Sequence, residues 1–317
     1  MCLSDVTKSS VLVDPDTLAT VGKVRYADGL RWWCPVQCTH PVVTRSGELL
    51  MLLPDFARRG YLVVRTTTTP AAAAGSSSSR EVVGRVGCRG GPTPGWVHSF
   101  AVTDRYIVVP EMPLRYSVGR MLKSEMAPFY LLDWLPESGS YLHVICRSTG
   151  KTVASVAVPP FVAFHFINAY EEKSESYNTT KYLEPSWRVA RFRIPLDGSP
   201  LGKLETVVEP DAHGRGVELS TINPAYMGKE YRYLWTLFKK EAKNWHEKGS
   251  VPSEPFFVAR PGAKDEDDGV VISTVTTMDG DGYVLLLDAA TFTEIARLRF
   301  PYGLPFGFHG CWIPDKN

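Results

Sequence analysis

Three stretches of the chain share one pattern, in which an apolar strand, a tight turn containing Thr and a second apolar strand follow one another. They are VLVDPDTLATVGKVRY (residues 11–26), HVICRSTGKTVASVAV (residues 143–158) and LLLDAATFTEIARLRF (residues 285–300). Each pattern predicts a β-hairpin. A hairpin that recurs along a long chain is too small to bury its own apolar face, and this is typical of β-propeller blades. An antiparallel meander is the alternative; we favour the propeller.

Other short apolar runs, at residues 61–64, 106–109, 270–273 and 283–288, are separated by turn residues, which indicates an all-β fold. One helix candidate covers residues 230–249, although its first half could equally be a strand. The Thr-, Ala- and Ser-rich residues 67–82 predict a surface loop between strands. We therefore expect one domain over residues 1–317 with a low-complexity insert at 67–82.

The composition is that of a globular protein, with 44% hydrophobic and 22% charged residues and a formal net charge of +1. This charge argues against a nucleic-acid-binding protein, which usually carries a basic patch. No apolar run approaches the roughly 20 residues of a membrane-spanning helix. Peripheral contact with a membrane stays open.

The six cysteines do not form the framework of a small disulfide-rich protein in a chain of this length. Cys34, Cys38 and His40 lie close together, but their spacing lacks the second pair of a zinc site. We expect reduced structural thiols, with a zinc-stabilised propeller for protein interaction as the alternative.

The seven histidines divide by their neighbours. His143 lies in a hairpin, His213 in a DAHGRG loop and His246 on the polar tail of the helix candidate, so we interpret them as structural or solvent-facing. The other four have aromatic, Gly or Pro neighbours that mark buried bends or the starts of strands. These four are His40, His98, His165 and His309.

His165 poses the sharpest question, because FVAFHFINAYEE (residues 161–172) predicts a buried strand with this imidazole in its middle. A single such residue is usually a core histidine with both ring nitrogens paired. Four imidazoles meeting on a propeller axis would instead bind iron, copper, nickel or zinc. Glu218 and Glu254 lie beside apolar residues at strand starts and are candidates to orient such ligands; solvated surface acids are the alternative.

Six motifs, in order over nearly the whole chain, resemble the carotenoid cleavage oxygenase family. They are THP followed by SGELL, VHSFAVTDRYIVVPEMPL, FHFINAYEE, ELSTINPAYMGKEYRY, PSEPFFVARPGAKDEDDGVVIS and YGLPFGFHGCW. The amino-acid sequences of these motifs are most similar to those of the plant carotenoid cleavage dioxygenase 8 subgroup, the carlactone synthases of strigolactone biosynthesis. The resemblance implies a seven-bladed propeller with capping loops and a short helix, from which this chain is expected to lack the N-terminal blades.

The resemblance also implies a non-haem Fe(II) centre. Its ligands would be His40, His98, His165 and His309, and the acids behind three of them would be Asp5, Glu218 and Glu254. Asp5 stands where the family has Glu, so its shorter side chain would reach the ligand less directly.

The implied activity is that of a dioxygenase that uses O2 to cleave one C=C bond of an apocarotenoid in the plastid. For the subgroup, 9-cis-β-apo-10′-carotenal would give carlactone. An apolar tunnel would hold the substrate, and Phe164, Phe166, Phe306 and Trp312 are candidates for its lining, with core packing as the alternative. The rival hypothesis is a truncated, non-catalytic paralogue that binds an apocarotenoid or a protein partner.

Overall fold

A computed structural model describes residues 10–26, 28–30, 36–44, 46–67, 77–123, 131–172, 175–182, 188–208, 219–236, 245 and 247–313. The first strands in chain order are β1 (Val11–Val13), β2 (Thr20–Lys23), β3 (Arg25–Tyr26), β4 (Val42–Val43), β5 (Glu48–Asp55), β6 (Gly60–Thr67), β7 (Ser77–Ser78), β8 (Arg80–Gly87), β9 (Ala101–Val102), β10 (Tyr106–Glu111), β11 (Leu114–Tyr116) and β12 (Leu132–Trp134). The following strands are β13 (Ser140–Cys146), β14 (Thr152–Val158), β15 (Phe166–Glu171), β16 (Glu175–Tyr182), β17 (Arg188–Pro195), β18 (Lys203–Val208), β19 (Ser250–Pro252), β20 (Phe256–Ala259), β21 (Gly269–Thr277), β22 (Gly282–Asp288) and β23 (Glu294–Arg299).

Most of the strands form antiparallel sheets of neighbours in sequence. The orders are β4-β5-β6-β8, β14-β13-β10-β9, β15-β16-β17-β18 and β19-β21-β22-β23, with β20 also paired to β21. Two-stranded sheets join β1 to β2, β11 to β12 and, in parallel, β3 to β7. Nearly all of the pairing joins strands that are close in sequence, as short turns between strands require. The all-β prediction from the spacing of turn residues is confirmed.

The helical elements described in full are one α-helix and two short 3₁₀ turns. They are α1 (Val118–Lys123), Pro136–Ser138 and Pro224–Tyr226. The helix candidate at residues 230–249 is wrong for the part that is described. In its first half, where a strand was the alternative, Trp235 pairs with Thr221 in an isolated β-bridge. No described helix has the length and apolar character needed to cross a bilayer.

The predicted surface loop at residues 67–82 is partly strand. Thr67 ends β6, and β7 and the first three residues of β8 also fall inside the range. Arg80 is buried there, with its guanidinium paired to Asp28 at 2.5 Å and lying over the ring of Tyr26. Residues 68–76 lie outside the described part of the chain.

The chain divides into two compact units, one of residues 1–178 and 192–205 and the other of residues 179–191 and 206–317. In the first unit, β5 is buried on both faces. Leu50 and Leu52 point into the core against β10, whereas Met51 and Leu53 pack on the opposite side with β6. Burial of each such side chain contributes about 1.5–3 kcal/mol. The single-domain organisation stays a prediction.

The core of the second unit lies on one face of β21 and β22. Val271 and Val275 alternate with half-buried residues along β21, as a strand with one buried face requires. The indole of Trp235 stacks on Phe257 with centroids 4.5 Å apart and donates a hydrogen bond to the carbonyl of Ala289. This aromatic pair is part of the unit's core.

The three repeats found in the sequence are confirmed as hairpins, β1–β2, β13–β14 and β22–β23. Their turns have the same backbone bonds. A residue at the end of each first strand or directly after it, Asp14, Cys146 or Asp288, exchanges hydrogen bonds with the residues four and five positions later. The residue at the fourth position has a positive φ in every case. These residues are Leu18 (58°), Gly150 (67°) and Phe292 (61°).

Candidate metal centre

Three of the predicted ligands occupy the same place in three successive sheets. His40 lies just before β4, His98 just before β9 and His165 directly before β15. Each of these strands is the first of its four-stranded sheet along the chain and lies at one edge of it. Side chains from equivalent positions of repeated sheets therefore meet, which is how a propeller brings distant residues together.

The three imidazoles form one cluster in the first unit. The Nε2 atoms of His40 and His98 are 3.0 Å apart, and the ring centroids of the three residues are separated by 4.7, 5.0 and 5.1 Å. One ring nitrogen from each of the three lies within 4.8 Å of those of the others. All three side chains are half-buried.

These donors fit a divalent transition metal. A metal–imidazole bond is about 2.1 Å long, so two nitrogens at right angles around one ion stand about 3.0 Å apart. That is the distance between the Nε2 atoms of His40 and His98. Neutral imidazoles with no carboxylate or thiolate among them suit iron, copper, nickel or zinc.

The prediction that His165 lies in the middle of a strand over residues 161–172 is wrong. Strand β15 begins at Phe166, and residues 161–165 are irregular although Phe161, Val162 and Ala163 are buried. An apolar run cannot by itself distinguish a strand from a buried irregular segment. The imidazole thus reaches the cluster from the residue just before a strand.

An aromatic wall covers one side of the cluster. The ring of Phe164 packs edge-on against His98 and Trp96 with centroids 5.0 and 4.9 Å away, and Trp96 itself lies 5.6 Å from His98. Trp96 is buried, whereas Phe164 is half-buried. This wall restricts the rotation of His98 and presents an apolar surface beside it.

His309 lies in the second unit and is paired with a predicted acid. Its Nδ1 atom is 3.2 Å from Oε1 of Glu254, whose other oxygen accepts a hydrogen bond from the backbone N–H of Gly310 at 3.4 Å. A carboxylate on Nδ1 fixes the tautomer that leaves the Nε2 lone pair available for a metal.

The remaining predicted site residues divide into two groups. Asp5 and Glu218 lie outside the described residues. Of the tunnel candidates, Phe166 is half-buried at the start of β15, whereas Phe306 and Trp312 are exposed, and Phe306 contacts Phe308 edge-on at 5.2 Å.

Cys38 is a buried core residue. Its backbone N–H donates to the carbonyl of Leu52, and its thiol lies 3.8 Å from the carbonyl of His40. The described imidazole cluster contains no cysteine. Cys34, the other thiol of the alternative zinc site, lies outside the described residues.

His143 lies in a hairpin as predicted, and of its two interpretations the structural one is confirmed and the solvent-facing one is wrong. It is fully buried in β13, with Nε2 at 2.8 Å from Glu111 and Nδ1 at 2.8 Å from the hydroxyl of Ser155. The other oxygen of Glu111 accepts from Arg115, which is also fully buried. Sequence reasoning missed this network. Its one signal was a polar His inside YLHVIC, the same kind of signal that pointed to His165.

Burial raises the pKa of Glu111, but hydrogen bonds from His143, from the Arg89 backbone N–H and from Arg115 lower it further than burial raises it. The carboxyl therefore has a net pKa below its ordinary value and is held as an anion. A buried anion of this kind requires paired cations, and Arg115 supplies one.

A separate cavity of about 380 Å³ lies in the first unit. Its lining includes Arg65, Arg105, Arg147 and Glu48, together with Cys146. Arg65 pairs with Glu48 and Glu81, Arg147 with Glu48, and Arg105 with Glu171, so much of the positive charge in this cavity is neutralised. None of the four tunnel candidates lines it.

Comparison with known proteins gives one consistent result. The family model described as retinal pigment epithelial membrane protein (RPE65) matches residues 2–314. Carotenoid cleavage dioxygenase 8 homolog A, chloroplastic, of Oryza sativa subsp. japonica is 56% identical over an alignment of 357 residues, which covers 99% of this chain and 63% of the relative. Carotenoid cleavage dioxygenase 8, chloroplastic, of Arabidopsis thaliana is 47% identical over 362 residues, covering 99% and 62%.

Among solved structures, cobalt-substituted Synechocystis apocarotenoid oxygenase superposes with a TM-score of 0.75 at 18% sequence identity, covering 96% of this chain and 70% of that one. At this identity the likeness shows the fold, which is that of the β-propeller carotenoid oxygenases. The predicted fold class is thus confirmed. The chain spans 62% to 63% of the length of the two plant relatives.

Proposed function

Because the chain belongs to the retinal pigment epithelial membrane protein (RPE65) family, which also includes the plant carotenoid cleavage dioxygenases, we propose that it is a non-haem iron dioxygenase acting on a carotenoid-derived substrate. The observation that carries the proposal is the convergence of three imidazoles, with two Nε2 atoms 3.0 Å apart. The chloroplastic names of the plant relatives support a plastid location.

The proposed ligands are His40, His98, His165 and His309. The first three already share one cluster, and the fourth is proposed from the family resemblance of its FHG motif and from its Glu254 partner. The cobalt substitution of the Synechocystis enzyme supports a metal-dependent centre in this fold. We assign iron because four neutral nitrogen donors leave coordination positions open and because the family resemblance implies Fe(II).

Bound iron would supply the one-electron chemistry that lets O2 react with an alkene. The protein's own part is to hold and orient. Glu254 keeps the proton of His309 on Nδ1, so that Nε2 stays a lone-pair donor. Trp96 and Phe164 exclude water from one side of the cluster and offer an apolar surface that suits a polyene.

The finer assignments are proposals that rest on the resemblance. Asp5 and Glu218 would orient two further ligands, and Phe164, Phe166, Phe306 and Trp312 would line the substrate tunnel. The substrate would be 9-cis-β-apo-10′-carotenal and the product carlactone. The names of the two plant relatives support the subgroup, and no described contact selects the cleaved bond.

The test is the iron content of the anaerobically purified full chain, together with O2-dependent cleavage of the apocarotenal followed by chromatography. We expect about one iron per chain in the parent and little in His165→Ala and His309→Ala. The matched control is His143→Gln, which removes a buried imidazole outside the cluster and leaves a side-chain N–H that can donate to Glu111.

Two results would count against the proposal. Iron-free parent protein with native circular dichroism would show that the histidines pair with one another without a metal. Iron-loaded parent that binds the apocarotenal but consumes no O2 would favour the non-catalytic carrier instead.

A further inference from the structure

Ser99 follows His98 directly and is buried in the first unit, 4% exposed. Its hydroxyl makes two hydrogen bonds, and both go to the backbone on either side of His165. It donates to the carbonyl of Phe164 at 2.6 Å and accepts from the N–H of Phe166 at 2.9 Å. The neighbours of one candidate ligand are thus held by the residue next to another.

The backbone of His98 is hydrogen-bonded to the segment that carries His40, the third candidate ligand. Its carbonyl accepts from the N–H groups of Thr39 and His40, at 3.1 and 3.3 Å. No described strand pairing joins these segments at this point, because His40, His98 and His165 all lie before their strands begin. The position of each imidazole therefore depends on local bonds more than on a sheet ladder.

We propose that the His98 carbonyl and the Ser99 hydroxyl form a clamp that sets the relative positions of His40, His98 and His165, and that Ser99 is a positioning residue for the metal centre. The inference rests on the proposed function, since it assumes that these imidazoles bind a metal. It adds a residue that makes no bond to the metal and acts through the backbone around His165.

The chemistry of a hydroxyl suits this position. A serine oxygen donates one hydrogen bond and accepts others, so a single atom can satisfy both a carbonyl and an N–H. Alanine can do neither, and the two backbone groups around His165 would lose their partner. The segment would then be free to shift, and a shift of one ligand weakens a metal site because bond lengths are tolerated only within about 0.2 Å.

The probe is Co²⁺ alone, added to the metal-free full chain. Its affinity is measured by competition with a chelator, and its visible absorption reports the ligand geometry. Changes in residues that position metal ligands typically weaken affinity 10–100-fold. We expect Ser99→Ala to weaken Co²⁺ binding about tenfold and to shift the absorption bands. Ser99→Thr keeps the hydroxyl and should stay within about threefold of the parent.

The matched control is Ser155→Ala. Ser155 is a half-buried serine of the same unit whose hydroxyl bonds to Nδ1 of His143 at 2.8 Å, in the buried network outside the imidazole cluster. It should leave both the affinity and the spectrum unchanged. Circular dichroism of each metal-free variant establishes that the comparison is between folded proteins.

Several outcomes would overturn the clamp. One is Ser99→Ala binding Co²⁺ as tightly as the parent with the same spectrum. Another is equal weakening in Ser99→Ala and Ser155→Ala, which would show a general loss of stability. If Ser99→Ala does not fold, the folded Ser99→Thr variant decides. Tenfold weaker Co²⁺ binding by this variant would contradict the role of the hydroxyl, whereas binding like that of the parent would support it. A parent chain that binds no Co²⁺ would instead overturn the proposed metal centre itself, and the clamp with it.

Discussion

Replacing Glu111 by Gln should destabilise the first unit far more than its single-atom change suggests. The carboxylate is fully buried and accepts four hydrogen bonds, each 2.8 Å long, from the backbone N–H groups of Arg89 and Gly90, from Arg115 and from His143. Each oxygen receives one backbone bond and one side-chain bond. The surroundings of the Glu111 carboxylate therefore consist almost entirely of hydrogen-bond donors that face one anion.

The magnitude follows from what an amide can replace. One oxygen of Gln accepts as before, but its NH2 group must face a backbone N–H, and an orphaned buried donor costs about 1–3 kcal/mol. The buried Arg115 also loses its counter-charge, and removing one partner of a buried ion pair costs about 3–5 kcal/mol. These effects overlap because they involve one side chain, so we expect the free energy of unfolding to fall by about 3–5 kcal/mol.

The assay is urea unfolding followed by tryptophan fluorescence and circular dichroism. The control is Glu81→Gln, because Glu81 is 68% exposed where it pairs with Arg65. An exposed pair contributes about 0–1 kcal/mol. Raising the salt concentration should reduce the small effect at Glu81 and leave the large one at Glu111, because buried charges are screened much less.

The pH dependence gives an independent check. The folded-state pKa of Glu111 lies below its ordinary value of 4.5. A group with a lowered folded pKa contributes stability that is fully present above its unfolded pKa and is lost as the pH falls through the folded one. The difference between parent and Glu111→Gln should therefore be constant near neutral pH and shrink below pH 4.5. A loss under about 1 kcal/mol, or a difference that grows in acid, would refute the reasoning.

Three other changes test separate features. Leu18→Gly should raise the free energy of unfolding by about 0.5–1 kcal/mol, because Leu18 is 75% exposed with a φ of 58°, a conformation that costs a non-glycine residue about 1–2 kcal/mol; a less stable variant in urea unfolding would contradict this. Glu254→Gln should weaken Co²⁺ binding about 10–100-fold by loosening His309, and unchanged affinity in chelator competition would count against that role. Hydrogen bonds from the hydroxyls of the following turn lower the pKa of Cys146 to about 7, so its alkylation rate should be half-maximal near that pH. Burial raises the pKa of Cys88 to about 12, so this thiol should stay unmodified, and peptide mass spectrometry distinguishes the two.

The sequence predicted the fold through its turns. The hairpins at residues 11–26, 143–158 and 285–300 were predicted from a recurring sequence pattern of strand, Thr-containing turn and strand. Such turns are local, and in the structure the same backbone bonds recur around a residue with positive φ. The helix expected at residues 230–249 failed where it is described, because Trp235 is drawn into the core by Phe257, a partner that no local pattern reveals. Tertiary packing overrode the local preference there.

For the candidate site, sequence pattern alone was not sufficient. A histidine inside an apolar run describes both His165, in the imidazole cluster, and His143, in the buried network with Glu111. The family resemblance separated them, since only His165 lies in a motif of that family. The role inferred for Ser99 could not be predicted, because its partners lie 65 and 67 residues away in sequence.

The order β4-β5-β6-β8 has a consequence for how such a protein can change over time. His40 lies before β4 at one edge of this sheet, whereas β8, the strand that follows the Thr-, Ala- and Ser-rich residues in sequence, forms the other edge. Lengthening the connection from β6 to β8 leaves the pairing of β4 and β5 intact. Insertions can therefore accumulate beside β8 while the edge next to His40 stays constant. The surface of the protein can then vary in sequence and length without a change at the histidine cluster.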